Sequence, residues 1–344
     1  MQIIKPDVNI NFVGRRRIAY ALSLALIVAT ITSLIARGGP KLGIDFAGGA
    51  EMYVRLSQST PIEQVKAALT AINLQGTVQK YGRTDDTDYR ILIQAEEDAA
   101  QDLAERVTAA LEQQTGATVD REQFQFEMVG PQVGRDLREK ALLAIFFALM
   151  FITVYISGRF ELKWMISAGM ASALGLAVYG LYLTNLSIPW LMLAALVVSL
   201  ALFWVLNLKY AMGAIVALVH DVLITVGLFS IFDKEFTLPI IAAVLTIIGY
   251  SLNDTIIVFD RIRENLRKYH RQPLTEIINK SVNETLGRTI LTSLTTLFVV
   301  ACLFALGGGI IHDFAFALIV GIMVGTYSSI FVASPILLAW QRRK

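Results

Sequence analysis

Cysteine is almost missing from this chain, and so is histidine. Its 344 residues include one cysteine, Cys302, and three histidines, His220, His270 and His312. One thiol makes no intrachain disulfide, and with no CxxC or Cys/His cluster there is no metal site to read. Charge is sparse too: 17% of residues are charged, 55% are hydrophobic and the mean hydropathy is +0.58. Several apolar runs approach or exceed 18 residues, which excludes a soluble enzyme and indicates a polytopic membrane protein. The net charge of +2 says less than where the charges lie.

Arg15, Arg16 and Arg17 precede the first apolar run, Ile18 to Ala36, which leaves through Arg37-Gly38-Gly39-Pro40 without a small-residue cleavage site. That is an uncleaved span whose N-terminus stays in the cytoplasm by the positive-inside rule. Residues 1–37 therefore form a cytoplasmic segment and first span. Residues 38–136 hold nine Lys/Arg against sixteen Asp/Glu, the balance of a translocated, periplasmic domain. Their pattern predicts strand (Ile44 to Leu56), helix (Pro61 to Ile72), strand (Gly76 to Tyr81), strand (Tyr89 to Gln94), helix (Ala99 to Gln114) and strand (Gln123 to Val129). That order is the α+β, ferredoxin-like arrangement. Thr60, Pro61 and Glu63 predict an N-cap with a capping-box acid. Alternation in Glu51 to Leu56 predicts a sheet covered on one face. All three histidines lie outside this domain, and no catalytic constellation occurs in it.

Residues 137–344 form a transmembrane bundle. Spans are expected at Ala141 to Ile156, Trp164 to Leu183, Trp190 to Leu206, Ala211 to Phe232, Phe236 to Phe259, Thr289 to Leu306 and Phe314 to Trp340, eight with the first, and both termini cytoplasmic. Thr184 to Pro189 is a polar hairpin with no positive charge, which suits the outer face. The connection Asp260 to Gly287 carries Arg261, Arg263, Arg267, Lys268, Arg271 and Lys280. It is read as a cytoplasmic helix, a turn at Gln272-Pro273 and a second helix along the interface. Its basic residues serve topology, or grip anionic lipid or an acidic partner. Gly321-Ile322-Met323-Val324-Gly325 is a GxxxG that permits close helix approach.

A carboxylate in hydrocarbon costs roughly 2.5–3.5 kcal/mol even on a lenient insertion scale, so it usually faces a partner, water or a proton path. Asp254 lies about five residues inside its span, and Arg288 opens the next one at the same face. Either the two form a proton-relay pair, or Arg288 is a snorkelling anchor and Asp254 a solvated helix end. His220-Asp221 lies deeper, as part of the path or as a pair satisfied by neighbouring helices and buried neutral. Asn253, Thr289 and Ser293 are further polar residues that could support such a path.

Five motifs carry a resemblance. They are Gly43-Ile44-Asp45-Phe46-Ala47-Gly48-Gly49, Val129 to Gly134, Ala217-Leu218-Val219-His220-Asp221-Val222, Gly249-Tyr250-Ser251-Leu252-Asn253-Asp254 running on to Asn265, and Thr285-Leu286-Gly287-Arg288-Thr289-Ile290. In this order the chain resembles the SecF subunit of the bacterial SecDF protein-export complex, a relative of the resistance-nodulation-division transporters. The resemblance implies a six-span half-transporter of the inner membrane that pairs with SecD and works beside the SecYEG translocon and YajC on an exported unfolded polypeptide. It implies a non-enzymatic role with no cofactor, no metal and no nucleic acid, driven by the proton motive force through Asp254 and Arg288. The competing function is a component of a proton-coupled small-molecule efflux transporter. The chain departs from the family pattern at about 164–206, where an extra two-span hairpin sits at the periphery or on a partner's surface.

Overall fold

The computed structural model describes residues 8–80, 87–93, 100–182 and 188–341. Tyr81, Gln94, Ala99, the turn residues Thr184 to Ser187 and the tail Arg342 to Lys344 lie outside them.

Long apolar runs make long helices, because a chain in lipid must satisfy its backbone groups within each segment. Helices α1 (Arg16–Ala36), α5 (Pro131–Glu161), α8 (Lys209–Ile231), α9 (Leu238–Lys268) and α10 (Leu274–Leu306) are each long and apolar enough to cross a membrane. A sixth span, Gly309–Trp340, combines α11 (Gly309–Ser328), a π-helical turn (Ser329–Ala333) and most of α12 (Ser334–Gln341). Between α5 and α8 lie α6 (Trp164–Tyr182) and α7 (Ile188–Val205). Their described apolar stretches, Trp164–Gly180 and Trp190–Val205, are shorter than the other six spans. Six of the expected eight spans are present as long apolar helices among the described residues, and the α6–α7 hairpin packs on α5 and α8 with Trp164, Met165, Leu176 and Trp190 turned outward.

Helices α8 and α9 occupy the middle. Helix α8 packs against α1, α5, α9 and α11, and α9 also packs against α10. Small residues set the closest approach. A Cβ on Gly321 would lie 2.3 Å from Ile247 Cγ1, and one on Gly325 would lie 2.9 Å from Ser251 Cβ, so the GxxxG of α11 is the seat of α9.

The connection Asp260 to Gly287 differs from its expected form. Helix α9 runs unbroken to Lys268, and α10 begins at Leu274, after Pro273, continuing without interruption through Arg288. The expected second helix is the N-terminal part of α10 itself, continuous with the apolar part that follows. It is held to α9 by side chains: Asn265 Nδ2 donates to Ser281 Oγ (3.0 Å) and to Glu284 Oε2 (2.7 Å).

The acidic insert forms one antiparallel sheet of β1 (Gly49–Arg55), β2 (Gly76–Lys80), β3 (Asp88–Ile93) and β4 (Gln125–Val129), in the order β2-β3-β1-β4. Met52 stands opposite Ile91 on one side and Phe126 on the other. Helices α3 (Ile62–Ala71) and α4 (Ala100–Thr115) pack on one face, with Leu69 and Leu111 joining Met52, Val54 and Ile91 in one core.

Three local expectations are corrected. Ile44 to Ala47 is a short helix, α2, and β1 starts only at Gly49. Gly48 (φ 77°) and Gly49 (φ 128°) turn the chain between them, and a Cβ on Gly48 would meet Pro131 Cα at 2.8 Å. Thr60 does not cap α3: Pro61 holds the N-cap position, and the Thr60 hydroxyl donates to Gln58 O (3.2 Å) while its N–H donates to Tyr89 OH (2.8 Å). The sheet is also covered on both faces at its centre, since Glu51 is 5% exposed.

The α9–α11 contact gives a direct check. Gly321→Ile forces Ile247 aside, and overpacking of this kind costs about 1–3 kcal/mol. A lower melting temperature in detergent is the expected reading, and an unchanged one contradicts the seating described.

Candidate functional site

Two carboxylates lie inside the bundle, and their surroundings are opposite. Asp221, on α8, is 1% exposed and every oxygen is taken. Its Oδ2 accepts from Ser251 Oγ on α9 (2.6 Å) and from Ser328 Oγ on α11 (2.8 Å). Its Oδ1 meets His220 Nδ1 at 2.9 Å, and its carbonyl accepts from Thr225 Oγ1 (2.8 Å). On the far side of the ring, His220 Nε2 lies 3.0 Å from Ser23 Oγ on α1, and Ser23 lies 3.0 Å from Tyr327 OH. Tyr327 donates to the Ala19 carbonyl (2.6 Å).

The direction of this chain follows from the inventory of donors. Tyr327 spends its proton on Ala19, so Ser23 donates to Tyr327 and in turn accepts from His220 Nε2–H. One proton is then shared between Nδ1 and Oδ1, and the His220–Asp221 pair is neutral as a unit, which suits its burial. The outcome matches the reading of a pair satisfied by its neighbours. Directly after Ser328 the helix opens into the π turn, closed by Ser334 Oγ donating to Ser329 O (2.9 Å). Such turns interrupt regular bonding and concentrate at functional positions.

Asp254, on α9, is 2% exposed, so it is no solvated helix end. Its Oδ2 has no hydrogen-bond partner, and neither has Thr289 Oγ1 on α10; among the described residues these are the two buried side-chain polar atoms left so. Asp254 and Arg288, the expected proton-relay pair, make no contact within 4.0 Å, and Arg288 is exposed. The reason is helical geometry. Successive residues point about 100° apart, so if Thr289 faces inward, Arg288 faces out.

Of the supporting residues, Ser293 bonds Thr326 Oγ1 at 2.7 Å, joining α10 to α11, and Asn253 is exposed. Ala242, Thr246, Gly249 and Asn253 line one outward stripe of α9. These are small or polar residues where a lipid-facing surface carries apolar ones, whereas α10 exposes Leu291, Leu294, Phe298 and Val299 beside Arg288 and Thr295. Ser23, Tyr327 and Ser328 escape a reading of the sequence. The one signal for them is the hydroxyl triplet Tyr327-Ser328-Ser329 inside an apolar run.

The family model "Protein export membrane protein SecD/SecF, C-terminal" matches residues 108–188 and 176–343, and the "SecD/SecF GG Motif" matches residues 33–60. The chain is 41% identical over 340 residues to the protein translocase subunit SecF of Magnetococcus marinus, covering 98% of this chain and 94% of that one. The chain belongs to the SecF family. It is also 37% identical over 338 residues to the SecF of Vibrio alginolyticus, with 98% and 91% covered. The crystal structure of SecDF from Thermus thermophilus, a translocon-associated membrane protein, superposes with a TM-score of 0.74 at 31% identity. It covers 98% of this chain, which spans 39% of that SecDF chain. The two matches of the SecD/SecF model overlap at residues 176–188, within the α6–α7 hairpin. The Gly48-Gly49 pair of the SecF-family motif has a structural use here, the turn against Pro131.

The contrast between the two carboxylates is measurable. Asp221→Ala orphans the donors that converge on it, at about 1–3 kcal/mol for each buried group left unmade. It lowers the melting temperature in detergent well below that of the parent. Asp254→Leu removes an orphan and leaves melting unchanged or raised. Equal losses for the two variants contradict the described bonding.

Proposed function

We propose that this protein is the SecF half of a SecDF-type translocase, a non-enzymatic subunit that uses the proton motive force to assist polypeptide export. The observation that carries the reading is Asp254, a buried carboxylate with an unfilled oxygen on a helix whose neighbouring face is small and polar. A group in hydrocarbon with no partner is poised to take up and release a proton, where a saturated one such as Asp221 is not. Proton movement supplies work: about 2.3 kcal/mol per elementary charge for each 100 mV crossed.

The chain spans 39% of the SecDF polypeptide it matches, so the remaining length there supplies the other half. We assign SecD to the stripe Ala242, Thr246, Gly249 and Asn253 of α9 and the outward residues of α10. Arg288, exposed beside that stripe, then answers to the partner as well as to Asp254. The insert at 38–136 is read as a ferredoxin-like domain, since order β2-β3-β1-β4 with two helices on one face suits a split βαβ pair. Its acidic charge favours the outer side of the inner membrane, with both termini cytoplasmic, and there it meets the polypeptide emerging from SecYEG.

Export into inverted vesicles tests the reading. With SecD present, Asp254→Asn abolishes stimulation by the proton gradient and spares the gradient-independent rate. Stimulation that survives the substitution removes Asp254 from the cycle.

A further inference from the structure

The outer end of the bundle holds a cluster of charges that the proton path does not use. Arg90, on β3, projects from the sheet face opposite α3 and α4. Its Nε donates to Glu51 Oε1 on β1, and its Nη2 donates to Glu235 Oε2 at 2.7 Å. Glu51 stands opposite Leu92, so Arg90 is its diagonal neighbour across the ladder, within reach of a long side chain. The three side chains are 17%, 7% and 8% exposed. Burial alone pulls the guanidinium down, yet the Glu51 hydrogen bond and the charges of Glu235 and Glu51 hold it above its ordinary range. Glu235 Oε1 also faces Lys41 Nζ at 3.5 Å, and Asp233 takes Lys41 (3.5 Å) and Arg37 (2.6 Å). Three cations meet three carboxylates.

Glu235 belongs to the turn between α8 and α9, two residues before the N-cap, Thr237. The turn is bound to the chain entering the sheet by its backbone as well. Phe236 N donates to Lys41 O (2.6 Å), Gly43 N donates to Phe236 O (3.0 Å), and Leu42 pairs with Phe236 in a parallel bridge. The first N–H of α9, on Leu238, donates to Asp45 Oδ2 (2.7 Å). A helix start has unfilled N–H groups, and here the motif acid Asp45 fills one.

We propose that Arg90, bridging Glu51 and Glu235, is a positioning residue that makes the outer sheet move as one body with the start of α9. The inference rests on the proposed proton coupling at Asp254, sixteen residues beyond Leu238 and so about 24 Å along the same helix. A buried ion pair adds little net stability but fixes geometry, and removing one partner strands the other charge. The sheet therefore has one orientation on the bundle while all three groups are present. A displacement of α9 reaches the sheet undiminished, with no hinge between them.

Spin labels test this in the full SecD-containing complex, with Cys302→Ser as background. One label replaces Lys66, exposed on α3, and the other Ile310, exposed at the start of α11. The parent gives a narrow distance distribution. Glu235→Ala and the milder Glu235→Gln and Arg90→Lys broaden it, and proton-gradient stimulation of export falls roughly 2- to 30-fold. A width that stays narrow overturns the proposal, as does full stimulation in a broadened variant. A Leu42→Cys/Phe236→Cys cross-link is the converse test. Export that persists after oxidation supports a rigid junction, and export that stops identifies a hinge and overturns it. Asp254→Asn is run alongside. Stimulation that survives in that variant sinks the proton reading, while the width of the distance distribution still decides the junction.

Discussion

Hydrocarbon offers no water, so each polar atom that enters the bundle has to be met by another helix, and Asp221 is where that demand is concentrated. Its carboxylate and the His220 ring draw in Ser23 of α1, Ser251 of α9 and Tyr327 and Ser328 of α11. Four helices from distant parts of the chain are thereby set in register by buried polar groups that bond one another. Apolar packing alone is a weak guide to register in a membrane, because lipid tails compete with side chains of the same kind. The knot supplies the specificity that leucines and isoleucines do not.

Against that background Asp254 is informative because it is one turn away. Ser251 and Asp254 are three residues apart on α9, so the helix carries a saturated anchor and an unsaturated carboxylate on neighbouring turns. The same residue type behaves oppositely in the two places because of the neighbours, not the depth. Asp221 has two hydroxyl donors and a ring, whereas Asp254 has one oxygen left without a partner. An acid in this condition is the part of the bundle most open to change.

Much of this was legible in advance, for reasons that differ by residue. Span positions follow from run length, and the order of strands and helices in the insert follows from periodicity, so both survive with shifts of a few residues. The intramembrane acids announce themselves by cost alone. Their partners do not. Arg288 sits at the predicted end of its span, but the helical phase that turns it outward depends on Thr289 facing inward, which run length does not encode. Ser23 is one small polar residue among apolar neighbours and acquires meaning only when α1 lies beside α8. The misread face of β1 is of the same kind. Glu51 alternates as a solvent-facing residue does, and what buries it is Arg90 on β3 together with a turn almost two hundred residues away. The unfilled cap at Thr60 shows a local motif losing to a tertiary one, since Tyr89 engages Thr60 through its backbone while the Thr60 hydroxyl turns to Gln58.

Helix α9 is held at three heights. At its N-terminal end Leu238 is fixed by Asp45, and the preceding Glu235 and Phe236 by Arg90 and the Lys41–Gly43 segment. In the middle Ser251 is fixed by Asp221, and towards the other end Asn265 is fixed by Ser281 and Glu284 of α10. Asp254 lies between the second and third of these. A helix pinned along its length cannot absorb a change at one residue by local bending without breaking one of those bonds. In the proposed proton cycle, a gain or loss of charge at Asp254 is therefore met by a shift of the whole helix relative to the face left open beside it. In that proposal the surface lined by Gly249 and Asn253 is where such a shift has room, and the sheet tied to the N-terminal end of α9 is what it moves.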